Sequence, residues 1–581
     1  MVDFKKSGRP FRAKFIRYGA IAGIFGTLFA TLQPWAIEKI ISSQMKIDPW
    51  CLAYKFWERI PIKIINKFNL FNIENPDQFL KGDKLKVREV GPFVLSEQRW
   101  KEVIGFGERT IKYYECRNYQ ILYEQSNGSW DQEITVLNPF VASTGAIVGD
   151  KLEQLTPIPL AVSPFVYSVV SVVLFVHSQN FFLKTTPRSL ITGLRVNLLD
   201  TVTTLLKPLE LLGIMASDVF PTSELPNNSI GILNSRNFTR LGPLEIYTGI
   251  EVPKEMYTST IAFRNERSMD RWTGSECNTP KGTDGIQFQP LIARKTKLTV
   301  FISDIYRSLD LTHVGDSDYF GIPGFKYVLG PEVFDPPSVN PANGCYCVHT
   351  RKKKSRCEHY GLLDCTGGFS GPPIIITRPH FLDTDSEIQG QVDGLSPDPE
   401  KHEFYLLVQP DIGIPISGAG RLQFNLRVER VPFLRGFNNI RDTIVPLGWI
   451  EISSTLDGFL FYLLKVGLIL APKVILSVFY LVAIGGWAAF IGGLIYLLVR
   501  KLRKSSASVS KIGNVDKLSS MEKESIKVHP LEISLNQQFF RNRATVVPVD
   551  YGKSSIIKFH QFPLRLNQNG QFDQLLFTTK S

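Results

Sequence analysis

The sequence predicts an α+β membrane protein in which two transmembrane helices flank one large ectodomain. Two long uncharged stretches occur in the 581 residues, one near each end, and strand-like runs fill the region between them. The net charge of +12 is concentrated at the ends, since residues 1–17 hold six basic and one acidic side chain and residues 500–581 hold fourteen and six. A nucleic-acid-binding protein usually carries its basic excess on the folded body, so this distribution argues against that class.

The two uncharged stretches run from Tyr18 to Ile37 and from Val474 to Val499, and are twenty and twenty-six residues long. At about 1.5 Å per residue, each can cross the roughly 30 Å of bilayer hydrocarbon as a helix. The first stretch exceeds the roughly 7–15 apolar residues of a signal peptide and lacks a small-residue cleavage site. It is therefore predicted to remain as an anchor.

Basic side chains precede the first stretch and follow the second, so the positive-inside rule places both termini in the cytoplasm. The final part of the chain mixes Asn, Gln and apolar residues without periodicity, which predicts a largely disordered tail. The predicted order begins with a cytoplasmic tail (residues 1–17), a transmembrane helix (18–37) and the ectodomain (38–473). A second transmembrane helix (474–499) and a cytoplasmic tail (500–581) follow.

A third uncharged stretch of thirty residues, from Gln154 to Leu183, is long enough to compete as a span. A third crossing would put the two basic ends on opposite sides of the membrane. It would also separate the glycosylation sequon at Asn127 from those at Asn227 and Asn237. Three prolines interrupt its first half, so we predict a buried or partly exposed ectodomain helix here, and glycosylation at all three sequons.

Short β-branched or aromatic runs, such as KLTVFISDIY, PPIIITRPHFL and LQFNLRVERV, predict strands throughout the ectodomain. Helical patterning appears in WCLAYKFWERI and over residues 189–212. The sequence contains no GxxxxGK phosphate loop, no HExxH metal helix and no GxSxG nucleophile elbow. We therefore predict neither an enzyme nor a cofactor.

Five of the seven cysteines lie after residue 270, and the segment CYCVHTRKKKSRCEHYGLLDC interleaves cysteines with His349 and His359. This spacing is compatible with a zinc site or with disulfide bonds. Disulfides are favoured and no metal is predicted, because a glycosylated ectodomain lies in an oxidising compartment where disulfides persist.

Seven segments resemble, in order, those of the class B scavenger receptors, the family that includes the fatty-acid translocase and lysosomal integral membrane protein type 2. They are FNIENPDQFLKGDKLKVREVGPFVL, CNTPKGTDGIQFQPLI, SDIYRSL, NPANGCYC, GLLDC, GPPIIITRPHF and GRLQFNLRV. The likeness covers nearly all of residues 18–499. In these segments we predict a turn between strands at Gly91 and Pro92, and the end of a β-branched run at Pro379 and His380.

The resemblance implies an antiparallel β-barrel core, a helical bundle at the end distant from the membrane, and an internal hydrophobic tunnel toward the bilayer. Such a tunnel suits lipid, because each CH₂ moved from water to an apolar wall gains about 0.8 kcal/mol. The implied function is a receptor for lipids, fatty acids, sterols or lipoprotein particles that transfers lipid through the tunnel to the membrane without catalysis.

The resemblance also implies two disulfides, which join Cys277 to Cys345 and Cys347 to Cys357. The third bridge of vertebrate family members would need a cysteine where this chain has Tyr306. Cys365, which matches the other half of that bridge, is therefore either free or paired with Cys51 or Cys116.

Ligand recognition in the family is attributed to basic residues on the distal helical bundle, a region that falls near residues 151–210 here. Lys184, Arg188 and Arg195 stand out there as candidate ligand-binding residues. Lys184 in NFFLKTTPRS is the nearest positional match to the family's acyl-carboxylate contact. The alternative is that these side chains only lay their aliphatic stems over an apolar surface.

Two other functions share this topology. A two-span cation-channel subunit is one, although such families usually carry more ectodomain cysteines than this chain. A lysosomal trafficking receptor for a protein cargo is the other, but QFDQLLF has Gln571 where an acidic dileucine signal needs an acidic residue. The plasma membrane is therefore the predicted location, with the lysosomal membrane as the alternative, and a homo-oligomer is compatible with the sequence.

Overall fold

A computed structural model describes residues 8–154, 162–176, 179–195, 229–234, 236–347, 357–369 and 372–512. The chain divides into a first unit of residues 1–500 and a second unit of residues 501–581. Of the second unit, the structure describes residues 501–512. The predicted disorder of the C-terminal tail and the sequon at Asn227 therefore lie outside the described residues.

A long helix stands at each end of the described chain. The first membrane helix is Gly8–Gln44. The last membrane helix consists of Gly458–Tyr462, a π-helical stretch Leu463–Leu470, and Ala471–Ile512. Both are long and apolar enough to cross a membrane, as the two uncharged stretches predicted.

Small residues let the two membrane helices approach closely. A Cβ atom added at Gly19 would lie 2.9 Å from the backbone nitrogen of Phe490, and one added at Gly26 would overlap Ala483. Close backbone approach of this kind is typical of helix pairs in lipid, where apolar burial between helices gives no driving force.

In the part of the chain that the structure describes, eighteen strands form one large sheet and two short ladders. Their bounds are β1 Ile64–Ile73, β2 Leu85–Phe106, β3 Thr110–Ile121, β4 Ile134–Leu137, β5 Phe182–Thr185, β6 Leu194–Arg195, β7 Ser229–Ile230, β8 Arg240–Tyr247, β9 Thr260–Phe263, β10 Leu298–Ile302, β11 Arg307–Tyr319, β12 Ile322–Leu329, β13 Leu363–Asp364, β14 Ile374–Thr377, β15 Val392–Asp393, β16 Tyr405–Gln409, β17 Ile414–Val428 and β18 Thr443–Thr455.

The main path of the large sheet is antiparallel, in the order β10-β11-β12-β16-β17-β18-β1-β2-β3-β8-β9. β14 pairs with β13 and β17, and β15 runs parallel to the start of β2. The short ladders are β4 with β5 and β6 with β7.

The two edge strands of the main path, β9 and β10, are joined through one short segment. Thr260 of β9 donates its backbone N–H to the Gly282 carbonyl at 2.7 Å, and the N–H of Thr283 donates to the Thr299 carbonyl at 3.0 Å. The sheet is therefore a nearly closed antiparallel barrel, as the family resemblance implied. We call Gly282–Thr283 the seam of the barrel.

One end of the barrel adjoins the membrane helices. Ile64 of β1 lies opposite Ser454 of β18, just before the last membrane helix begins. We call this the proximal end. The opposite ends of the same strands, at Ile73 and Thr443, mark the distal end.

Two helices, Pro139–Gln154 and Val162–Val176, lie at the distal end. In the second helix Val166, Val170 and Leu174 recur every four residues and are buried in one core cluster with strand residues of the distal end. Its fifteen residues extend about 22 Å, which is too short for a span. The prediction of an ectodomain helix within residues 154–183 is confirmed.

Short helices connect the strands. The α-helical ones are Leu52–Glu58, Pro76–Phe79, Pro187–Thr192, Ser275–Asn278, Ser386–Gln389 and Pro399–His402, and the 3₁₀ turns are Tyr123–Gln125, Lys254–Met256, Pro331–Val333, Pro341–Tyr346 and Pro379–Phe381. The helix predicted in WCLAYKFWERI is confirmed as Leu52–Glu58. Of the helix predicted over residues 189–212, the structure describes a helix that ends at Thr192, where Gly193 adopts a φ of +140° and β6 follows. Residues 196–212 lie outside the described residues.

The turn predicted at Gly91 and Pro92 is instead an irregularity within β2. The ladder between β1 and β2 shifts register opposite this pair, between Phe68 and Leu70. Proline has no N–H to donate to the ladder, and Gly91 adopts a φ of +129° that favours glycine. The strand therefore bulges and continues instead of reversing.

Two disulfides lie in the second half of the ectodomain, and they join Cys277 to Cys345 and Cys347 to Cys357. Cys51, Cys116 and Cys365 carry free thiols, so the alternative in which Cys365 pairs with Cys51 or Cys116 is wrong. Cys116 lies in the middle of β3, whereas Cys51 follows the first membrane helix. Within the described residues, no group of three His, Cys, Asp or Glu side chains could hold a metal ion.

Candidate functional site

Lys184, the predicted carboxylate contact, lies on β5 of the short β4–β5 ladder. Its side chain is exposed, and its Nζ lies 3.1 Å from Oε1 of Glu133. An exposed ion pair of this kind contributes about 0–1 kcal/mol. An anionic ligand can therefore compete with Glu133 for the ammonium group.

Arg188 lies at the start of helix Pro187–Thr192 and binds Asp131 through two hydrogen bonds. Its Nε donates to Oδ1 at 2.8 Å and its Nη2 donates to Oδ2 at 3.0 Å. These hydrogen bonds lower the pKa of Asp131. Lys184 and Arg188 thus pair with carboxylates two positions apart in sequence, which brings both predicted residues to one surface. Arg195 belongs to β6, but its side chain lies outside the described residues.

Sequence reasoning missed a basic and aromatic group at the distal end. The guanidinium carbon of Arg435 lies 4.6 Å from the ring centroid of Phe175, and the backbone N–H of Arg435 donates to Ser171 Oγ at 3.1 Å. Phe175 and Phe433 are both exposed. Arg435 is 264 residues from Ser171, so no local sequence pattern connects them.

One face of β2 changes from apolar to charged along its length. Alternate residues of a strand share a face, so Phe93, Leu95, Glu97, Arg99 and Lys101 point the same way. Phe93 and Leu95 are buried in a core cluster at the distal half of the strand. The charged residues follow toward the proximal end.

The charged side chains on this face and on the matching face of β3 are paired. Arg117 lies 2.6 Å from Glu115 and 3.1 Å from Asp304, and Lys101 lies 3.1 Å from Asp284. Asp304 comes from the turn between β10 and β11, which is not a neighbour of β3 in the sheet, so this face points into the barrel. Burial alone would raise the pKa of Glu115 and Asp304, but the nearby arginines outweigh it and lower each pKa to about 2.

Two buried histidines stack on each other beside β2 and β18. The rings of His380 and His402 are 4.4 Å apart and nearly parallel, and Nε2 of His380 lies 3.0 Å from Oε2 of Glu89. The Nδ1 atoms of the two rings accept backbone N–H groups of Ser396 and Asp398 at 3.1 and 3.0 Å. An acceptor nitrogen carries no proton, so in each ring the proton lies on Nε2. The eight scattered histidines of the sequence did not reveal this pair.

Comparison with known proteins shows similarity along most of the chain. A family model described as the CD36 family matches residues 17–497. Sensory neuron membrane protein 2 of Aedes aegypti is 28% identical over 517 residues, which cover 79% of this chain and 93% of that protein. Lysosome membrane protein 2 of Rattus norvegicus is 27% identical over 422 residues, covering 73% and 81%. Scavenger receptor class B member 1 of Bos taurus is 24% identical over 458 residues, covering 79% and 83%.

Proposed function

Because the chain belongs to the CD36 family, we propose that it binds lipids or lipoprotein-like particles at the distal end and passes lipid through the barrel interior to the bilayer. The observation that carries this proposal is the nearly closed barrel whose proximal end adjoins both membrane helices. β18 ends just before the last membrane helix, and Ile41 of the first membrane helix lies in one cluster with Ile414 of β17. Fatty acids and sterols are the ligand classes that we expect. The proposal requires neither catalysis nor a cofactor.

The binding step rests on exposed basic groups beside apolar surface. Lys184 can exchange its partner Glu133 for the carboxylate or phosphate of a lipid, because a charge-assisted hydrogen bond contributes about 1.5–3 kcal/mol. Arg435 and Phe175 supply a second place where a cation and an apolar ring are adjacent. Arg188 is already held by Asp131 and has less freedom to exchange.

The passage step rests on the apolar part of the inner face. Phe68, Phe93, Leu95 and Ile450 belong to one buried cluster contributed by three adjoining strands. Ile452, further toward the proximal end of β18, remains 43% exposed although β1 and β17 pair with its strand on both sides. An acyl chain passing along this face would avoid water, at a gain of about 0.8 kcal/mol for each CH₂.

We place both termini in the cytoplasm and the ectodomain outside the plasma membrane, with Asn127 and Asn237 as exposed glycan acceptors. A lysosomal membrane receptor is the second candidate, because one relative is named lysosome membrane protein 2. Membership of the CD36 family does not support the cation-channel alternative. The proposal includes homo-oligomerisation.

Transfer can be tested with a pair of neighbouring substitutions on opposite faces of β18. Ile452→Trp places a large ring on the face shared with Ile450, whereas Ser453→Trp adds the same ring to the other face. Full-length protein in proteoliposomes would receive labelled fatty acid or cholesteryl ester from an external carrier. We expect I452W to slow transfer while carrier binding is retained, and S453W to transfer normally.

Equal transfer by both variants would contradict passage through the barrel interior. Ion current with no lipid transfer in the same vesicles would contradict the receptor proposal and restore the channel alternative.

A further inference from the structure

The hairpin of β11 and β12 extends beyond the rest of the sheet as a two-stranded ribbon. β10 pairs with β11 only as far as Leu311, and β16 pairs with β12 only from Phe325 onward. Among the described strands, none pairs with residues 314–324 except the two ribbon strands themselves. The tip of this ribbon carries Tyr319 and Phe320.

The ribbon follows the first turns of the last membrane helix. Ile322 is fully buried in a cluster that includes Leu456 and helix residues. The rings of Tyr319 and Phe461 are 6.4 Å apart. Lys465 of the π-helical stretch donates from Nζ to the Phe320 carbonyl at 2.9 Å. The tip is therefore held against the segment that leads into the membrane.

Several aromatic side chains at this end of the ectodomain are exposed. Phe320 is 71% exposed and Trp50, which follows the first membrane helix, is 92% exposed. Phe459 and Tyr462 in the first turns of the last membrane helix are exposed as well. We call Trp50 and Phe320 the proximal rim. An isolated exposed apolar residue needs no explanation, but four aromatic rings beside the two membrane helices do.

We propose that the proximal rim lies in the headgroup layer of the outer leaflet, so that the β11–β12 tip is a third contact with the bilayer. Trp and Tyr are enriched at membrane–water interfaces because their rings are amphipathic, and Phe side chains of interfacial segments insert at the boundary between headgroups and acyl chains. Lys465 and Lys473 provide cations for lipid phosphates, and their stems can lie along apolar surface.

The position of the tip along the helix agrees with this proposal. Lys473 borders the uncharged stretch and lies about eight residues, or about 12 Å, from Lys465. The polar layer extends about 5–8 Å beyond the hydrocarbon, and a phenylalanine side chain bridges the remaining distance. Because the rim lies beside the membrane helices, the lipid bilayer is the binding partner that its position favours.

The proposal is tested by the environment of a spin label at the tip. Full-length protein carrying Cys51→Ser, which removes the one half-exposed thiol, would be labelled at Phe320→Cys and placed in phosphatidylcholine nanodiscs. The matched control is Phe433→Cys, because Phe433 is similarly exposed, at 62%, but lies in the β17–β18 connection at the distal end. Trp50→Cys provides a second rim position if F320C does not fold.

We expect a rim label to collide more with dissolved oxygen, which partitions into lipid, and less with a water-soluble nickel chelate than the control label does. Equal, water-like accessibility at both positions would overturn the proposal. A rim label shielded from both reagents would also overturn it, because that result shows a protein partner such as a second copy of the chain. Neither result depends on whether the protein transfers lipid.

Discussion

His380 and His402 hold the segment between β15 and β16 through two backbone N–H groups that only unprotonated Nδ1 atoms can accept. The pKa of His402 is lowered to about 4, mainly by burial and also by the neighbouring His380 and Arg421, while Glu89 and Asp398 oppose the shift. For Glu89, burial alone would raise the pKa, but the hydrogen bond from His380 reverses the shift and lowers the pKa.

The first prediction concerns acid stability. Because the folded pKa of His402 is about 4 and its unfolded value is about 6.5, the unfolded chain binds more protons between these values. The stabilisation by neutral His402 is therefore complete above about pH 6.5 and is lost as the pH falls toward about 4. Thermal unfolding of the detergent-solubilised chain across this range should show the loss, and His402→Gln should reduce the pH dependence.

His359→Gln is the matched control, since His359 is partly exposed and pairs with Asp385 at 3.0 Å. If H402Q and H359Q change the pH profile equally, the stacked pair is not the group that responds to acid.

The second prediction concerns Lys184 and its partner. Lys184→Ala should weaken binding of anionic lipid about tenfold or more, because a charge-assisted hydrogen bond of about 1.5–3 kcal/mol is lost. Glu133→Gln should strengthen the same binding, because it frees the ammonium group without removing it. Equilibrium binding of a fatty acid and of uncharged cholesterol measures both effects, and cholesterol should respond much less.

Stability should change by less than about 0.5 kcal/mol in either variant, as is usual for exposed residues. If Lys184 variants bind normally while Arg188→Ala or Arg195→Ala loses binding, the functional cation has been misplaced. If substitution of each of the three residues leaves lipid binding unchanged, these residues form only a solvated surface.

At the scale of elements, the seam closes the barrel through a glycine that no other residue can easily replace. Gly282 has a φ of +80°, and a Cβ atom there would overlap the Thr299 carbonyl that accepts from Thr283. Gly285 also has a φ of +80°, but a Cβ atom there would only contact Val300 at 3.3 Å.

The third prediction is that Gly282→Ala destabilises the protein more than Gly285→Ala. The unfavourable backbone conformation costs roughly 1–3 kcal/mol at both positions, and the carbonyl clash adds a further loss at Gly282 alone. Midpoints of thermal unfolding of the two full-length variants give the comparison. Equal midpoints would show that the seam does not contribute to barrel closure.

The fourth prediction compares the two disulfides. They close sequence separations of 68 and 10 residues, so the chain-entropy relation gives about 4 and about 3 kcal/mol of stabilisation. Replacing Cys277 and Cys345 together with serine should therefore cost more stability than replacing Cys347 and Cys357. Peptide mapping without reductant should first find both pairs, and free thiols at these four positions would contradict the assignment.

At the scale of elements, the sequence predicted what depends on local pattern. The helix at WCLAYKFWERI and the strands at KLTVFISDIY and LQFNLRVERV follow from periodicity and turn residues. The bulge at Gly91 could not be distinguished from a turn, because both use glycine and proline. Asp131 and Glu133 were missed as partners of the basic residues, since ion pairs across elements leave no trace in local spacing.

At the scale of the whole molecule, the two spans and their flanking charges could be predicted from the sequence, because a helix that crosses the bilayer hydrocarbon needs a long uncharged run. The seam, the histidine pair and the Arg435–Phe175 contact could not be predicted from the sequence. Each joins residues far apart in sequence, and their positions depend on barrel closure. The interior charges of β2 and β3 also escaped notice, because alternation of charged residues on a strand is usually a sign of a solvated face.

The fifth prediction concerns topology. Epitope tags at either terminus should be detected in cells only after permeabilisation, because both termini are proposed to be cytoplasmic. Glycosidase treatment should lower the apparent mass, and Asn127→Gln and Asn237→Gln should each remove one glycan. Detection of a C-terminal tag on intact cells would contradict the two-span arrangement.

The position of β1 beside β18 has a consequence for biosynthesis. Lys67 and Glu451 of these strands form an ion pair although they are 384 residues apart. In the proposed topology β1 enters the lumen early in translation, but the strand that covers its second edge arrives only when the ectodomain is almost complete. The nascent chain must therefore keep an unpaired apolar strand edge from aggregating during this delay. A chain that terminates before β18 would leave that edge open permanently, so we expect truncated products to be retained and degraded rather than delivered.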